Sequence, residues 1–120
     1  MKTEATHDPG TLERLFGATS AAARVLDFMN IFCEYDYNKK DIAENSNVTP
    51  QRITKVINKL VDLELIKKTR ESGRSEMYKF NTENPAAKYL AQFAHELAAQ
   101  EGQKIAAREL AKEAQQPQAF

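Results

Sequence analysis

At 120 residues the chain has room for a single hydrophobic core, and its 17 basic and 17 acidic side chains cancel to a formal charge of zero. The one cysteine, Cys33, excludes an intrachain disulfide, and no apolar run approaches the roughly 20 residues that a bilayer-spanning helix needs. Nothing near the start joins a basic segment to a long apolar run, so a soluble, cytoplasmic protein with no membrane partner is expected.

Residues 1–11, which include Asp8-Pro9-Gly10, show no periodic pattern and are expected to form a disordered tail. Leu12, Leu15 and Phe16 precede Gly17. Ala22, Val25, Leu26, Met29, Phe32 and Cys33 then recur at helical spacing and predict a scaffold helix ending near Glu34. Tyr35-Asp36-Tyr37 is long enough only for a short strand, one that would pair with a later hairpin. Asn38 suits the N-cap of a short helix with Ile42 and Ala43 inward. The pattern breaks over Glu44-Asn45-Ser46-Asn47 before Val48 returns to the core. Asn47 sits at the bend, and asparagine tolerates the left-handed backbone better than any residue except glycine.

Thr49-Pro50 places a capping hydroxyl before a proline at the first helical position, where a missing N–H costs nothing. Ile53, Val56, Ile57, Leu60 and Val61 follow as one apolar stripe, so the helix over 49–63 buries that face. Gln51, Arg52, Thr54, Lys55, Asn58 and Lys59 fill the other faces, with three cations and no acid before Asp62. Leu65–Arg70 and Met77–Asn81 read as strands around a five-residue connection, Glu71–Ser75, with Gly73 and Arg74 at an exposed tip. Asn84-Pro85 repeats the cap-then-proline start. Leu90, Phe93, Ala94, Leu97, Ala98 and Ile105 then form a stripe along an alanine-rich helix over 84–114. Gly102 is expected to interrupt or kink that helix, at a cost on the order of 1 kcal/mol. Residues 115–120 lack periodicity and are expected to fray.

The spacing of Ile42, Ala43, Val48, Ile53 and Val56 resembles a helix-turn-helix. The Leu63-Glu64-Leu65-Ile66-Lys67-Lys68 join and the Gly73-Arg74 wing followed by Tyr78 resemble the winged helix-turn-helix transcriptional regulators of the MarR/ArsR-type superfamily, particularly small archaeal and bacterial members. The resemblance covers roughly residues 12 to 101. Asn47 departs from it where many members have glycine, and Ser46 where an apolar residue is common. It implies a mainly α fold with a small β-hairpin wing (α+β), a DNA-binding domain over 12–83 and a dimerisation helix over 84–114.

Charge distribution agrees with a docking role for the middle of the chain. Residues 1–37 hold three basic and six acidic side chains, residues 38–80 ten and six, and residues 81–120 four and five. On duplex DNA, Arg52 suits a bidentate pair to guanine and Gln51 or Asn58 a pair to adenine, while Thr54, Lys55 and Lys59 suit phosphates, and Thr49 belongs to the same DNA-binding set. Lys39 and Lys40 at the start of the short helix would reach the backbone. Arg74, beside Ser75 at the wing tip, would enter a narrow minor groove. The plainer alternative, that Lys67, Lys68, Arg70 and Lys79 only solvate an exposed hairpin, stays open at this point.

A terminal helix with large apolar residues on one face suits a symmetry mate, so a homodimer is expected through Leu12, Leu15, Phe16, Tyr89, Leu90, Phe93, Leu97 and Ile105. A helix folded back on its own domain is the alternative. The resemblance implies an effector pocket between the terminal helices and the winged domain, which Phe16, Phe28, Tyr89 and Phe93 would line; simple packing explains the same aromatics. Metal sensors among the resembling regulators use clustered cysteines or histidines. Here Cys33 reads as a small core residue and His7 and His95 are isolated, so no metal and no cofactor are expected. With no nucleophile–base spacing, phosphate-cradling glycine loop or apolar carboxylate pair, an enzyme is not expected either. The leading reading is a sequence-specific DNA-binding transcriptional regulator, a repressor, acting as a dimer on a pseudo-palindromic operator. The alternatives are a winged-helix protein-interaction module and a DNA-binding protein of replication, plasmid maintenance or chromosome architecture.

Overall fold

The computed structural model describes residues 9–17 and 19–115. His7 and most of both expected tails lie outside the described residues. Thr11 and Gln115, assigned above to the tails, are the first residue of α1 and the last of α5. The elements are α1 (Thr11–Phe16), α2 (Ala21–Ile31), β1 (Tyr37–Asn38), α3 (Lys39–Ser46), α4 (Pro50–Asp62), β2 (Ile66–Ser72), β3 (Ser75–Phe80) and α5 (Pro85–Gln115). The sheet is antiparallel with strand order β1-β3-β2. No helix among the described residues is long and apolar enough to cross a membrane.

One core joins α2, α3, α4 and the sheet, with Val25, Met29, Ile42, Ile57, Leu60, Ile66 and Phe80 essentially excluded from solvent. Ala87 seats the start of α5 on that core. A smaller cluster of Leu12, Ala23 and Ala94, flanked by Leu26 and Leu90, ties α1 to α2 and α5. The Arg14–Glu101 ion pair closes the same junction from the surface.

Helix ends follow local chemistry. Ser20 accepts from the Ala23 N–H and Asn38 from the Asp41 N–H, as N-cap side chains do. Thr49 holds the cap position of α4, but its hydroxyl makes no capping hydrogen bond, contrary to expectation. The N–H groups of Arg52 and Ile53 both reach the Thr49 carbonyl instead, at 3.0 Å, and Pro50 has no N–H to satisfy. At the turn after α3, Asn47 adopts φ 55° and the Val48 N–H reaches back to the Ala43 carbonyl at 2.9 Å. The end of α4 repeats the motif with Glu64 at φ 58°, the Leu65 N–H bonding the Leu60 carbonyl at 3.0 Å and the Glu64 N–H the Val61 carbonyl at 2.9 Å.

Glutamate is a costly residue in that left-handed position, so Glu64→Gly is expected to stabilise the fold by about 0.5–1 kcal/mol. The Glu64 carbonyl, which accepts from Asn81 and Asn84 side chains at 2.9 and 2.8 Å, is untouched by the change. Urea unfolding at unchanged slope would show a raised midpoint; an unmoved midpoint would mean that the backbone there is unstrained.

Several boundaries differ from expectation. α2 stops at Ile31, because the chain turns around Phe28, whose ring packs on Phe32 at 5.3 Å and on Tyr37 at 4.9 Å between centroids. Cys33 is consequently half-buried at the edge of the core rather than on a helix face. β1 covers Tyr37–Asn38 instead of 35–37, with Tyr37 opposite Tyr78. Asp36 points to β2, accepting from the Thr69 hydroxyl at 2.6 Å and Arg70 Nε at 2.9 Å, beside an irregularity in β2 between Lys68 and Arg70. The wing turn is Gly73-Arg74 alone, since pairing continues out to Ser72 opposite Ser75. Gly73 at φ 64° supplies the one positive φ of a two-residue hairpin turn. α5 runs unbroken through Gly102, where neither its own helix nor a neighbour crowds the missing side chain.

Candidate nucleic-acid interface

Because Ile53, Ile57 and Leu60 are committed to the core, α4 presents Gln51, Arg52, Thr54, Lys55, Asn58 and Lys59 to solvent. A cleft of about 400 Å³ brings Lys39 and Lys40 at the start of α3 together with Arg74 and Ser75 at the wing tip, with Glu76 on its wall. A second groove of about 630 Å³ shares Lys39 and Lys40 and runs between α3 and α4 past Thr49 and Thr54. The predicted docking residues therefore fall on two adjacent clefts and the outer face of α4.

Ion pairing divides the cations into two sets. Lys67 bonds Glu83 at 2.7 Å, Lys68 bonds Glu71 at 3.2 Å and Glu76 at 3.4 Å, and Arg70 bonds Asp36 at 2.9 Å. Among the described residues, Lys39, Lys40, Arg52, Lys55, Lys59, Arg74 and Lys79 take part in no ion pair, nor do the cations of α5. Three of the four hairpin cations, Lys67, Lys68 and Arg70, are thus paired within the chain rather than only solvated, whereas Lys79 and the cations of α4 and the wing tip are not.

The hairpin's own electrostatics hold its shape. The Tyr78 hydroxyl and then Lys68 bond the Glu76 carboxylate and keep it below the ordinary carboxylate range, with the charge of Lys39 adding to the effect. Burial, and then the bond to Glu76 at 2.5 Å, pushes the Tyr78 phenol up to about 12. Asp36 is lowered from 3.8 to about 2, first by Arg70 and then by Thr69. A depressed carboxyl contributes its stabilisation fully above its unfolded value and loses it as the pH falls through the folded one. The tie from Asp36 to Thr69 and Arg70 of β2 is therefore expected to persist at pH 4 and to release near pH 2. A carboxyl-carbon NMR titration should place the Asp36 midpoint near 2 and move it back toward 3.8 in Arg70→Ala. A midpoint near 3.8 in the unaltered chain would show that the Arg70 contact does not hold in solution.

Two positioning side chains went unnoticed in the sequence. Arg24 on α2 donates from Nε to the Ser46 carbonyl at 3.0 Å and from Nη2 to the Asn47 carbonyl at 3.3 Å, bracing the turn that orients α4. Asp27, 8% exposed, accepts from the Leu12 and Glu13 N–H groups at 2.9 Å each and caps α1 from a distance. The available signal was an acid inside the apolar run Val25-Leu26-Asp27-Phe28-Met29.

The flanking residues are placed less uniformly. Leu12 is 1% exposed in the chain's own core and so has no surface to offer a partner. Leu90 and Leu97 are half-buried, whereas Leu15, Phe16, Tyr89, Phe93 and Ile105 are exposed. A cleft of about 700 Å³ lies between α2 and α5, but Ile31, Ala91, Ala94, His95 and Ala98 line it rather than the four aromatics named above. Phe28 belongs to the core, and helical phase turns Tyr89 and Phe93 away from the α2-facing alanines.

α3, the left-handed Asn47 turn, α4 and the β2–β3 hairpin constitute a winged helix-turn-helix, with α5 as a long appended helix. No known family model and no curated protein matches the chain. Solved structures with the same fold include a zinc-responsive MarR family member, ZitR of Lactococcus lactis, at 21% identity and TM-score 0.52 over 90% of this chain and 68% of that one. Another is Sso10a-2, a DNA-binding protein from Sulfolobus solfataricus, at 14% identity and TM-score 0.51 over 82% of this chain and 98% of that one. The winged-helix architecture implied by the sequence resemblance is the one the chain adopts.

Proposed function

We propose that the chain is a sequence-specific regulator that binds double-stranded DNA, a repressor acting as a homodimer, with 12–83 as its DNA-binding domain and 84–114 as its dimerisation helix. The observation that carries this reading is the set of cations on α4 and the wing tip that make no ion pair, set against Lys67, Lys68 and Arg70 of β2, each of which is paired to a carboxylate. Both likenesses support it, one being to a MarR family member and the other to a DNA-binding protein. α5 supports the dimer: every residue from 102 to 114 is exposed, including Ile105 and Leu110 at 56% and 66%. Two α4 helices related by a two-fold axis would enter successive major grooves about 34 Å apart, so the operator is a pseudo-palindrome. An effector, where one acts, has the α2–α5 cleft available to it.

Selection from a random duplex library, followed by affinity for the winner against salt, tests the reading. An enriched pseudo-palindrome with a steep salt slope is the expected result. Weak salt-sensitive binding that enriches nothing would instead favour an architectural role. Absence of any duplex binding would overturn both. Sedimentation as a monomer at micromolar concentration would remove the dimer.

A further inference from the structure

The two clefts of the DNA-facing side lie next to one another, with Lys39 and Lys40 lining both, and they differ in character. At the wing end, Arg74 and the two lysines offer charge to phosphates. At the α4 end the lining is mostly apolar: buried Ala43, Val48 and Ile53 form its floor and exposed Pro50 and the methyl of Thr54 its wall, with Asn47 and Thr49 beside them. Pro50 has no N–H to donate there, and the Thr49 carbonyl is already taken by Arg52 and Ile53 N–H groups.

We propose, resting on the DNA-binding reading above, that this apolar groove receives the 5-methyl group of one thymine per half-site while Lys39, Lys40 and Arg74 hold the adjoining backbone. Thymine is the one base that presents an apolar group in the major groove. Another base edge would set a donor or acceptor, rather than a methyl, against Pro50 and lose that apolar contact. The groove thereby adds a specificity element at the start of α4, distinct from the base-edge hydrogen bonds of Gln51, Arg52 and Asn58.

The test uses the full chain and the duplex it selects, with each thymine replaced in turn by deoxyuridine. Loss of one buried methyl is expected to weaken binding about fourfold at a single position per half-site. In a Pro50→Ala, Thr54→Ser double variant, which keeps the hydroxyl and trims the exposed part of the apolar lining, that penalty should fall below about twofold. Arg74→Ala should weaken every duplex while leaving the methyl penalty intact. A protein that binds its selected duplex with no methyl-sensitive position, or whose penalty survives in the double variant, overturns the groove assignment alone. Failure to select or bind any duplex overturns the DNA-binding reading itself.

Discussion

Asp27→Ala is expected to destabilise the protein by about 3 kcal/mol, from two buried charge-assisted hydrogen bonds lost and two N–H groups left orphaned. α1 spans only Thr11–Phe16, and its own N-cap residue, Gly10, has no side chain with which to cap it. A six-residue helix does not hold itself together in water. The Asp27 carboxylate substitutes for the missing cap, and the fit is tight enough that a Cβ at Gly10 would lie 2.4 Å from it. Release of α1 would also expose Leu12 and undo the Arg14–Glu101 pair, so the loss should reach α5. Urea unfolding measures the total, and hydrogen exchange at the Leu12 and Glu13 amides localises it. Asp27→Asn keeps an acceptor for one N–H and should lose about half as much. A loss under about 1 kcal/mol in Asp27→Ala would mean that water replaces the carboxylate and that α1 is not held by it.

Local chemistry carried the helix-turn-helix into view. The stripe from Ile53 to Val61 can be buried only one way on a helix, and Pro50 and Asn47 mark its start and the bend before it without help from distant residues. Errors arose where a distant partner decides. α2 ends where Phe28 finds Tyr37, and β1 shifts because Asp36 is drawn to Arg70 on β2. The wing strands outran the expected connection because cross-strand pairing to Ser72 and Ser75 outweighs the polar composition of Glu71–Ser75. The docking face on α4 was legible because its cations are the remainder of an amphipathic pattern. Which cations stay free was not, since Lys67, Lys68 and Arg70 look no different from Lys55 or Lys59 until Glu83, Glu76 and Asp36 are placed beside them. Ser46 shows the same limit. Its hydroxyl is buried with no partner among the described residues, and only the contact of Arg24 with its carbonyl shows what the position does.

On the selected operator, Arg52→Ala is expected to cost about 1–3 kcal/mol of binding free energy and to relax preference at one base pair per half-site. Lys55→Ala is expected to weaken all duplexes alike and to shallow the salt slope by about one unit. The difference follows from shape. A guanidinium makes two parallel hydrogen bonds to one base edge and rejects the wrong base by leaving them unpaired, whereas an ammonium acts on phosphate as a point charge. Both residues are exposed on α4, three positions apart, and neither forms an ion pair among the described residues, so neither change disturbs an internal contact that would confuse the comparison. Neither should alter stability by more than about 0.5 kcal/mol, which thermal unfolding would verify. Titrations of both variants against the selected duplex and a scrambled one, at several salt concentrations, separate the two roles. An Arg52→Ala protein with unchanged affinity and unchanged preference would remove base reading from Arg52. The same titrations giving Lys55→Ala a sequence-selective loss would transfer that role one turn along the helix, to the face shared by Lys55 and Lys59.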